Sequence, residues 1–148
     1  MSKSSLLSDH LFNFDLYGIA CYSMEYQLAW YINKALGITM TKQKDIEIKF
    51  LNGNILCISN YLFETENCCC KLIRNKSVYQ EADRVDFLLP ELNKFDFLMQ
   101  LRGFEDTFDD DTVRRLLVAC KPVQFLQKFD PLTIKSRENL IFHFLSPP

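Results

Sequence analysis

The hydrophobic pattern begins with a period of two. In "LFNFDLYGIAC", Phe12, Phe14 and Leu16 fall on one side, while polar residues and Tyr17 fall on the other. Such alternation predicts a β-strand with one buried face, because successive side chains of a strand point to opposite sides of the sheet.

The period then changes to that of a helix. In "SMEYQLAWYINKALG", Met24, Leu28 and Ile32 recur at helical spacing, which predicts an amphipathic helix. Ser23 is the expected N-cap, and Gly37 is the expected C-terminal stop.

A period of two returns in "DIEIKFLNGNILCISNYLF". Asn52 and Gly53 separate two alternating runs and predict a hairpin, because both turn positions favour residues that accept positive φ. The strand after the turn is expected to span residues 55–63. "CCCKLIR" predicts a fourth strand, and residues 75–83 are expected to form an exposed loop.

Two further strands are predicted around a proline. "RVDFLL" is the fifth, "PELN" forms a turn, and "KFDFLMQLRG" is the sixth. Phe95, Phe97, Met99 and Leu101 are expected to share one face of that sixth strand. Short strands with tight links favour an antiparallel meander.

The last third predicts a second helix and a final strand. "TVRRLLVAC" follows an acidic loop, so Asp110 or Asp111 is the expected cap and Pro122 the stop. "VQFLQKFD" is the last strand, and "PLTIKSRENLIFHFL" is a short helical turn before an apolar tail. Residues 1–10 are expected to fray.

These elements predict a single α+β domain over residues 1–148. It would contain a mainly antiparallel sheet of about six or seven strands, with two main helices packed on one face. The apolar fraction of 48% excludes a disordered chain. The absence of a signal-peptide core or a long apolar run predicts a cytoplasmic protein without a membrane span.

The stretch "LLPELNKFDF" carries a family resemblance. Leu89, Pro90 and Glu91, followed after three residues by Phe95, Asp96 and Phe97, resemble the motif of the IPExxxVDY family. These are small, functionally uncharacterised bacterial proteins, mostly of Bacteroidetes. "FDLYGIACYSMEYQLAWYINKALG" and "IKSRENLIF" are also similar to the family's opening and closing segments. The resemblance implies a bacterial cytosolic α+β domain and no particular activity.

Two interpretations of the motif stay open. Glu91 and Asp96 could act as a general acid and base, or as a ligand site, if they shared a pocket. Alternatively, Pro90 ends a strand, Glu91 opens the turn, and Asp96 accepts turn N–H bonds or pairs with Arg84 or Arg102. We favour the structural interpretation, with no catalytic residue assigned.

No cofactor or metal site is predicted. Cys68 and Cys70 would point to one side of a strand and Cys69 to the other, so the three thiols cannot surround one metal ion. The acidic residues after the sixth strand lack the spacing of an EF-hand loop and are expected to form a solvated loop with a helix cap. They are Glu105, Asp106, Asp109, Asp110 and Asp111.

The expected function is therefore protein–protein interaction without catalysis. Tyr22, Tyr26 and Trp30 lie on one flank of the first helix and are expected to contact a protein partner or a second copy of the chain. The alternatives are a small-ligand binder or enzyme using Glu91 and Asp96, and an RNA-binding sheet. The net charge of −2 disfavours nucleic acid.

Overall fold

A six-stranded antiparallel sheet lies between a helical layer and a layer of hairpin and turns. The computed structural model describes residues 11–50, 53–78 and 86–141. The strands are β1 (Asp15–Cys21), β2 (Thr41–Lys42), β3 (Ile46–Lys49), β4 (Ile55–Ile58), β5 (Asn60–Glu64), β6 (Cys69–Arg74), β7 (Phe97–Arg102) and β8 (Val123–Phe129). The helices are α1 (Glu25–Leu36) and α2 (Asp110–Val118), and the 3₁₀ turns are Pro90–Leu92, Pro131–Thr133 and Arg137–Leu140.

The strand order in the main sheet is β2-β5-β6-β7-β1-β8, and every neighbouring pair is antiparallel. β3 and β4 form a separate two-stranded sheet. The predicted α+β class with a mainly antiparallel sheet is confirmed. The predicted meander holds for β5 to β7, whereas β1 is inserted between β7 and β8.

Each face of the main sheet carries a hydrophobic core. The core on the helical side includes Ile19, Leu28, Ile32, Met99 and Leu117. The core on the opposite side brings strand residues together with the hairpin, the Pro90 turn and the C-terminal turns; it includes Leu16, Ile48, Ile58, Leu89 and Ile134. The helices thus cover one face, as predicted, and less regular segments cover the other.

β1 is buried on both faces. Leu16 and Tyr17 are neighbours that point to opposite sides, and both are fully buried. The prediction of a solvent-facing Tyr17 is therefore wrong. The physical reason is that β1 lies inside the sheet, where a continuous apolar run such as that after Asp15 is the usual pattern.

Each helix has its N-cap one residue away from a predicted position. Met24, rather than Ser23, is the N-cap of α1, because the Gln27 carboxamide oxygen accepts both the Met24 N–H, at 3.2 Å, and the Ser23 hydroxyl, at 3.0 Å. Asp109 caps α2 by accepting the Thr112 N–H at 2.7 Å. Gly37 ends α1 with φ of 68°, as predicted.

The predicted strand over residues 55–63 is two strands. The chain leaves the small sheet after Ile58 and enters the main sheet at Asn60. Ser59 lies at this change of direction, where its carbonyl accepts the Arg74 N–H at 3.1 Å and its hydroxyl donates to Glu25. The predicted hairpin turn is confirmed at Gly53, which has φ of 89°.

The segment before β7 also differs from the prediction. Residues 86–89 form no named strand; Phe87 makes only an isolated bridge to Lys76. Phe95 lies in the core opposite to that of Phe97, so the predicted shared face is wrong for Phe95. The reason is that the strand begins at Phe97, after the Pro90–Leu92 turn.

Some predictions fall outside the described residues. These are the frayed segment 1–10, Asn52, Arg84 and the apolar tail from residue 142. None of the described helices is long and apolar enough to cross a membrane.

Replacing Gly18 by alanine tests how tightly the core opposite the helices packs against β1. A Cβ at this position would lie 2.8 Å from Phe95 Cγ and 2.9 Å from Phe129 Cε2. We expect Gly18→Ala to lower the free energy of unfolding by about 1–3 kcal/mol, measured by urea denaturation. In a Phe95→Ala background the same change should cost less, because removing Cγ and Cδ1 of residue 95 removes that contact. An equal cost in both backgrounds would contradict the contact.

Candidate functional site

The family-like motif is organised by one buried side chain, that of Asn75. Its amide nitrogen donates to the carbonyls of Leu92, at 2.9 Å, and Phe95, at 3.1 Å. Its side-chain oxygen accepts the Leu89 N–H at 2.8 Å. Asn75 has no exposed surface, so the predicted exposed loop over residues 75–83 is wrong at its start.

The backbone of Asn75 holds the same segment. Its N–H donates to the Asp96 carbonyl at 2.9 Å, and its carbonyl accepts the Leu88 N–H at 2.7 Å. The segment 88–96 is thus connected to the end of β6 by both the side chain and the main chain of one residue. This arrangement satisfies backbone groups that would otherwise be buried without partners.

The residues after Asn75 join the hairpin to the main sheet. The hydroxyl of Ser77 accepts the Cys57 N–H at 3.0 Å, and the Val78 N–H donates to the Cys57 carbonyl at 2.7 Å. Ser77 is buried. The residues Asn75–Val78 thus contact β4 of the small sheet and continue β6 of the main sheet.

Glu91 anchors the C-terminal turns to the motif. Its Oε1 accepts the Ser136 N–H at 2.7 Å and the Ser136 hydroxyl at 2.6 Å. Partial desolvation raises the pKa of Glu91, but the hydrogen bonds from Ser136 outweigh it and the pKa lies below its ordinary value. Nearby, the Asn139 side chain donates to the Leu88 carbonyl at 2.8 Å. Glu91 is therefore an ionised anchor rather than a proton donor at neutral pH.

Asp96 binds a different part of the chain from the one that Glu91 binds. Its Oδ2 accepts the Cys21 N–H at 2.9 Å, at the end of β1. The expectation that Asp96 accepts a turn N–H is wrong, because its donor lies at the end of another strand. None of the identified clefts is lined by both Glu91 and Asp96 among the described residues. The two carboxylates accept hydrogen bonds from different parts of the chain.

The other motif residues are structural. Leu89 is fully buried, and Phe95 and Phe97 are almost fully buried in opposite cores. Pro90 starts the 3₁₀ turn, where its missing N–H costs no hydrogen bond. In the motif, the chain thus passes from the core on one face of the sheet to the core on the other.

A cleft of about 540 Å³ lies beside Asp96, at the N-terminal end of α1. Glu25 and Asp96 already accept hydrogen bonds there, and Lys42 pairs with Asp45 at 3.1 Å. Within the part of the chain that the structure describes, no ion pair involves the other two cations that line the cleft; these are Arg74 and Lys76. The cleft is thus lined by three cations and three carboxylates, with Glu25, Asp45 and Asp96 balancing the positive side chains.

The acidic loop does more than cap α2. Asp110 accepts the hydroxyl of buried Tyr17 at 2.7 Å and contacts Lys128 at 3.0 Å. The Tyr17 hydroxyl, followed by Lys128 and Arg114, lowers the pKa of Asp110 despite partial desolvation. Burial first, and then the Asp110 carboxylate, raises the pKa of Tyr17. For Asp110, the expected solvated loop is wrong: its carboxylate bridges α2, β1 and β8.

The six cysteines are free thiols. Burial raises the pKa of Cys21, Cys70 and Cys120, so these thiols stay protonated at neutral pH and are poor nucleophiles. Over residues 11–50, 53–78 and 86–141, no group of three or more His, Cys, Asp or Glu side chains is arranged to hold a metal ion.

An exposed aromatic surface lies on α1 and the residues that precede it. Tyr22, Met24, Tyr26 and Trp30 are 66%, 64%, 59% and 53% exposed, respectively. We refer to these four residues as the aromatic surface. Single exposed apolar side chains are ordinary, whereas these four lie on one short segment. Met24 also lines the cleft beside Asp96, so the two features are continuous.

Sequence reasoning located the aromatic surface but missed the role of Asn75. A polar run after a strand normally predicts a loop, and nothing in "NKSV" shows that Asn75 is buried. The signal that could have found it lies in "LLPELNKFDF". This segment contains a proline and forms no regular strand ladder, so its backbone N–H and C=O groups need side-chain hydrogen-bond partners from elsewhere in the chain.

No protein-family model, curated protein or solved structure matches the chain.

Removing the Asn75 carboxamide should destabilise the fold strongly. Asn75→Ala leaves the Phe95 carbonyl and the Leu89 N–H without these partners, at about 1–3 kcal/mol for each buried group. It also removes one of two partners of the Leu92 carbonyl, which still accepts the Phe95 N–H. We expect the free energy of unfolding to fall by at least about 3 kcal/mol, measured by urea denaturation. The matched control Asn13→Ala, at an exposed position, should change it by less than about 0.5 kcal/mol. Similar small effects for both would disprove the role of Asn75.

The ion network around Asp110 should make stability depend on acid. The pKa of Asp110 is lower in the folded chain than its ordinary value of 3.8, so its contribution is present above that value and is lost as the pH falls through the folded pKa. We expect Asp110→Asn to be less stable than the wild type at pH 7, with the gap narrowing between about pH 5 and pH 2. Urea denaturation across this range measures the gap.

The control for that pH series is Asp106→Asn, in the exposed part of the same loop. It should show little difference from the wild type at any pH. A gap between the wild type and Asp110→Asn that stays constant on acidification would show that the carboxylate charge is not what stabilises this contact.

Proposed function

We propose that this chain is a bacterial, cytoplasmic, non-enzymatic protein–protein interaction module that also associates with a second copy of itself. The aromatic surface is the site that contacts a partner protein. The observation that carries the proposal is the exposure of Tyr22, Met24, Tyr26 and Trp30, each more than half accessible. Tyr, Trp and Met are the residues enriched in protein interfaces.

The surroundings of the aromatic surface indicate the chemistry of the partner. Lys34 lies over the Trp30 ring at 4.5 Å from its centroid, and the Tyr22 hydroxyl reaches the Lys121 carbonyl at 3.5 Å. The adjoining cleft adds Arg74 and Lys76. The cleft also carries three carboxylates, so Lys34 beside Trp30 is the contact that favours a partner segment combining apolar side chains with a carboxylate.

The two alternative functions have less support. A small-ligand site built from Glu91 and Asp96 needs both carboxylates in one cleft, and each is bound to a different part of the chain. An RNA-binding sheet needs an open face of aromatic residues, whereas both faces of the main sheet carry a buried core. Membership of the IPExxxVDY family stays a proposal, supported by the shared motif positions.

Polar substitutions on the aromatic surface should abolish partner binding without harming the fold. We expect Tyr26→Ser combined with Trp30→Ser to remove at least about nine tenths of a captured partner, because exposed aromatic anchors dominate interface energy. The measurement is quantitative capture from the native cell, compared with Val118→Ser combined with Leu132→Ser, which alters two other exposed apolar side chains.

A captured protein counts as the partner only if it meets a second condition. Trp30 is the single tryptophan of the chain. Binding of the purified partner should therefore shift the fluorescence emission of Trp30 to shorter wavelength, because the ring loses contact with water. Equal capture by both double variants, or an unchanged emission, would refute the aromatic surface as the contact site.

A further inference from the structure

We infer that two copies of this chain associate by antiparallel pairing of β8 with β8, which makes one continuous twelve-stranded sheet. The inference rests on the self-association that the proposed function includes. It assigns the pairing of copies to the edge of the sheet and leaves the aromatic surface, none of whose residues lies in β8, for a different protein.

Among the described residues, the β8 edge is the longer of the two edges of the main sheet. Among the described residues β8 pairs only with β1, and the opposite edge of the sheet is β2, which has two residues. β8 has seven residues with no glycine or proline, and one charged residue, Lys128. Such a long edge presents N–H and C=O groups suited to another strand.

An incomplete aromatic cluster lies along this edge. The Phe95 ring stacks on Phe125 with centroids 5.9 Å apart and meets Phe129 edge-on at 5.3 Å. Phe125 nevertheless remains 55% exposed. A neighbouring strand would cover its outer side, whereas nothing in residues 11–50, 53–78 and 86–141 does so in one copy.

Two-fold symmetry restricts how β8 can pair with itself. Directly opposed residues of an antiparallel pair point to the same face, so the two-fold axis must pass beside a residue that opposes its own copy. The pairing of β8 with β1 is regular from Phe125 to Phe129, and its register shifts beyond Ala20. Gln127 is the centre of this regular stretch, which places the axis there.

The side chains of β8 suit an axis at Gln127. Phe125 then opposes Phe129 of the second copy on the face of the Phe95 cluster, and aromatic cross-strand pairs are favourable. On the other face Leu126 opposes Lys128, so no two like charges meet. Lys128 keeps its contacts with Asp15 and Asp110 of its own chain, at 3.5 Å and 3.0 Å.

Cysteine cross-linking tests this register directly. Gln127→Cys places two thiols opposite each other across the axis, at a separation that a disulfide spans. Gln124→Cys is the matched control, since Gln124 is an exposed glutamine of the same strand that would oppose residue 130 instead. After mild oxidation, we expect at least fivefold more covalent dimer for Gln127→Cys than for Gln124→Cys or the unsubstituted chain, measured on non-reducing gels.

Light scattering with a second variant completes the test. Gln127→Lys would bring two ammonium groups together at the axis, so the dimer should weaken at least tenfold, and added salt should partly restore it. A monomer for the unsubstituted chain at all concentrations would overturn both this inference and the self-association in the proposed function. A dimer that Gln127→Lys leaves intact, with no preferred cross-link at Gln127→Cys, would overturn the β8 pairing alone.

Discussion

The buried carboxamide of Asn75 is the interaction on which the rest of this structure depends. Both faces of the main sheet are buried, so other segments must cover each of them. The second cover, on the face opposite the helices, includes the segment 88–96, which forms no regular strand ladder. Each buried backbone group of such a segment costs about 1–3 kcal/mol if it finds no partner. Asn75 supplies both donors and an acceptor from the end of β6, so the segment 88–96 can close over the core.

This constraint explains the hydrogen bonds of the motif "LLPELNKFDF". Glu91 and Asp96 each bind a different neighbour: Ser136 in the C-terminal turns and the Cys21 N–H of β1. The aromatic surface and the β8 edge share no residue, so the proposed partner and the proposed second copy would not compete for the same side chains.

The sequence predicted the parts of the fold that depend on local patterns. Helical spacing around Leu28 and Ile32, the positive φ at Gly37 and the hairpin at Gly53 are local properties, and the structure confirms them. The division at Ser59, the burial of Tyr17 and the position of Phe95 depend on which strands become neighbours, and periodicity carries no information about strand order. The exposed Tyr22, Tyr26 and Trp30 were predictable, because an amphipathic helix cannot bury all its flanks.

Native-state hydrogen exchange measures the central claim most directly. If Asn75 fixes the second cover to the sheet, the amides of Leu88 and Leu89, which donate to Asn75 at 2.7 Å and 2.8 Å, should exchange only through global unfolding. Their free energies of opening would then equal those of the β6 and β7 amides. Exchange of Leu88 and Leu89 through a local opening, while β6 and β7 stay protected, would contradict the account.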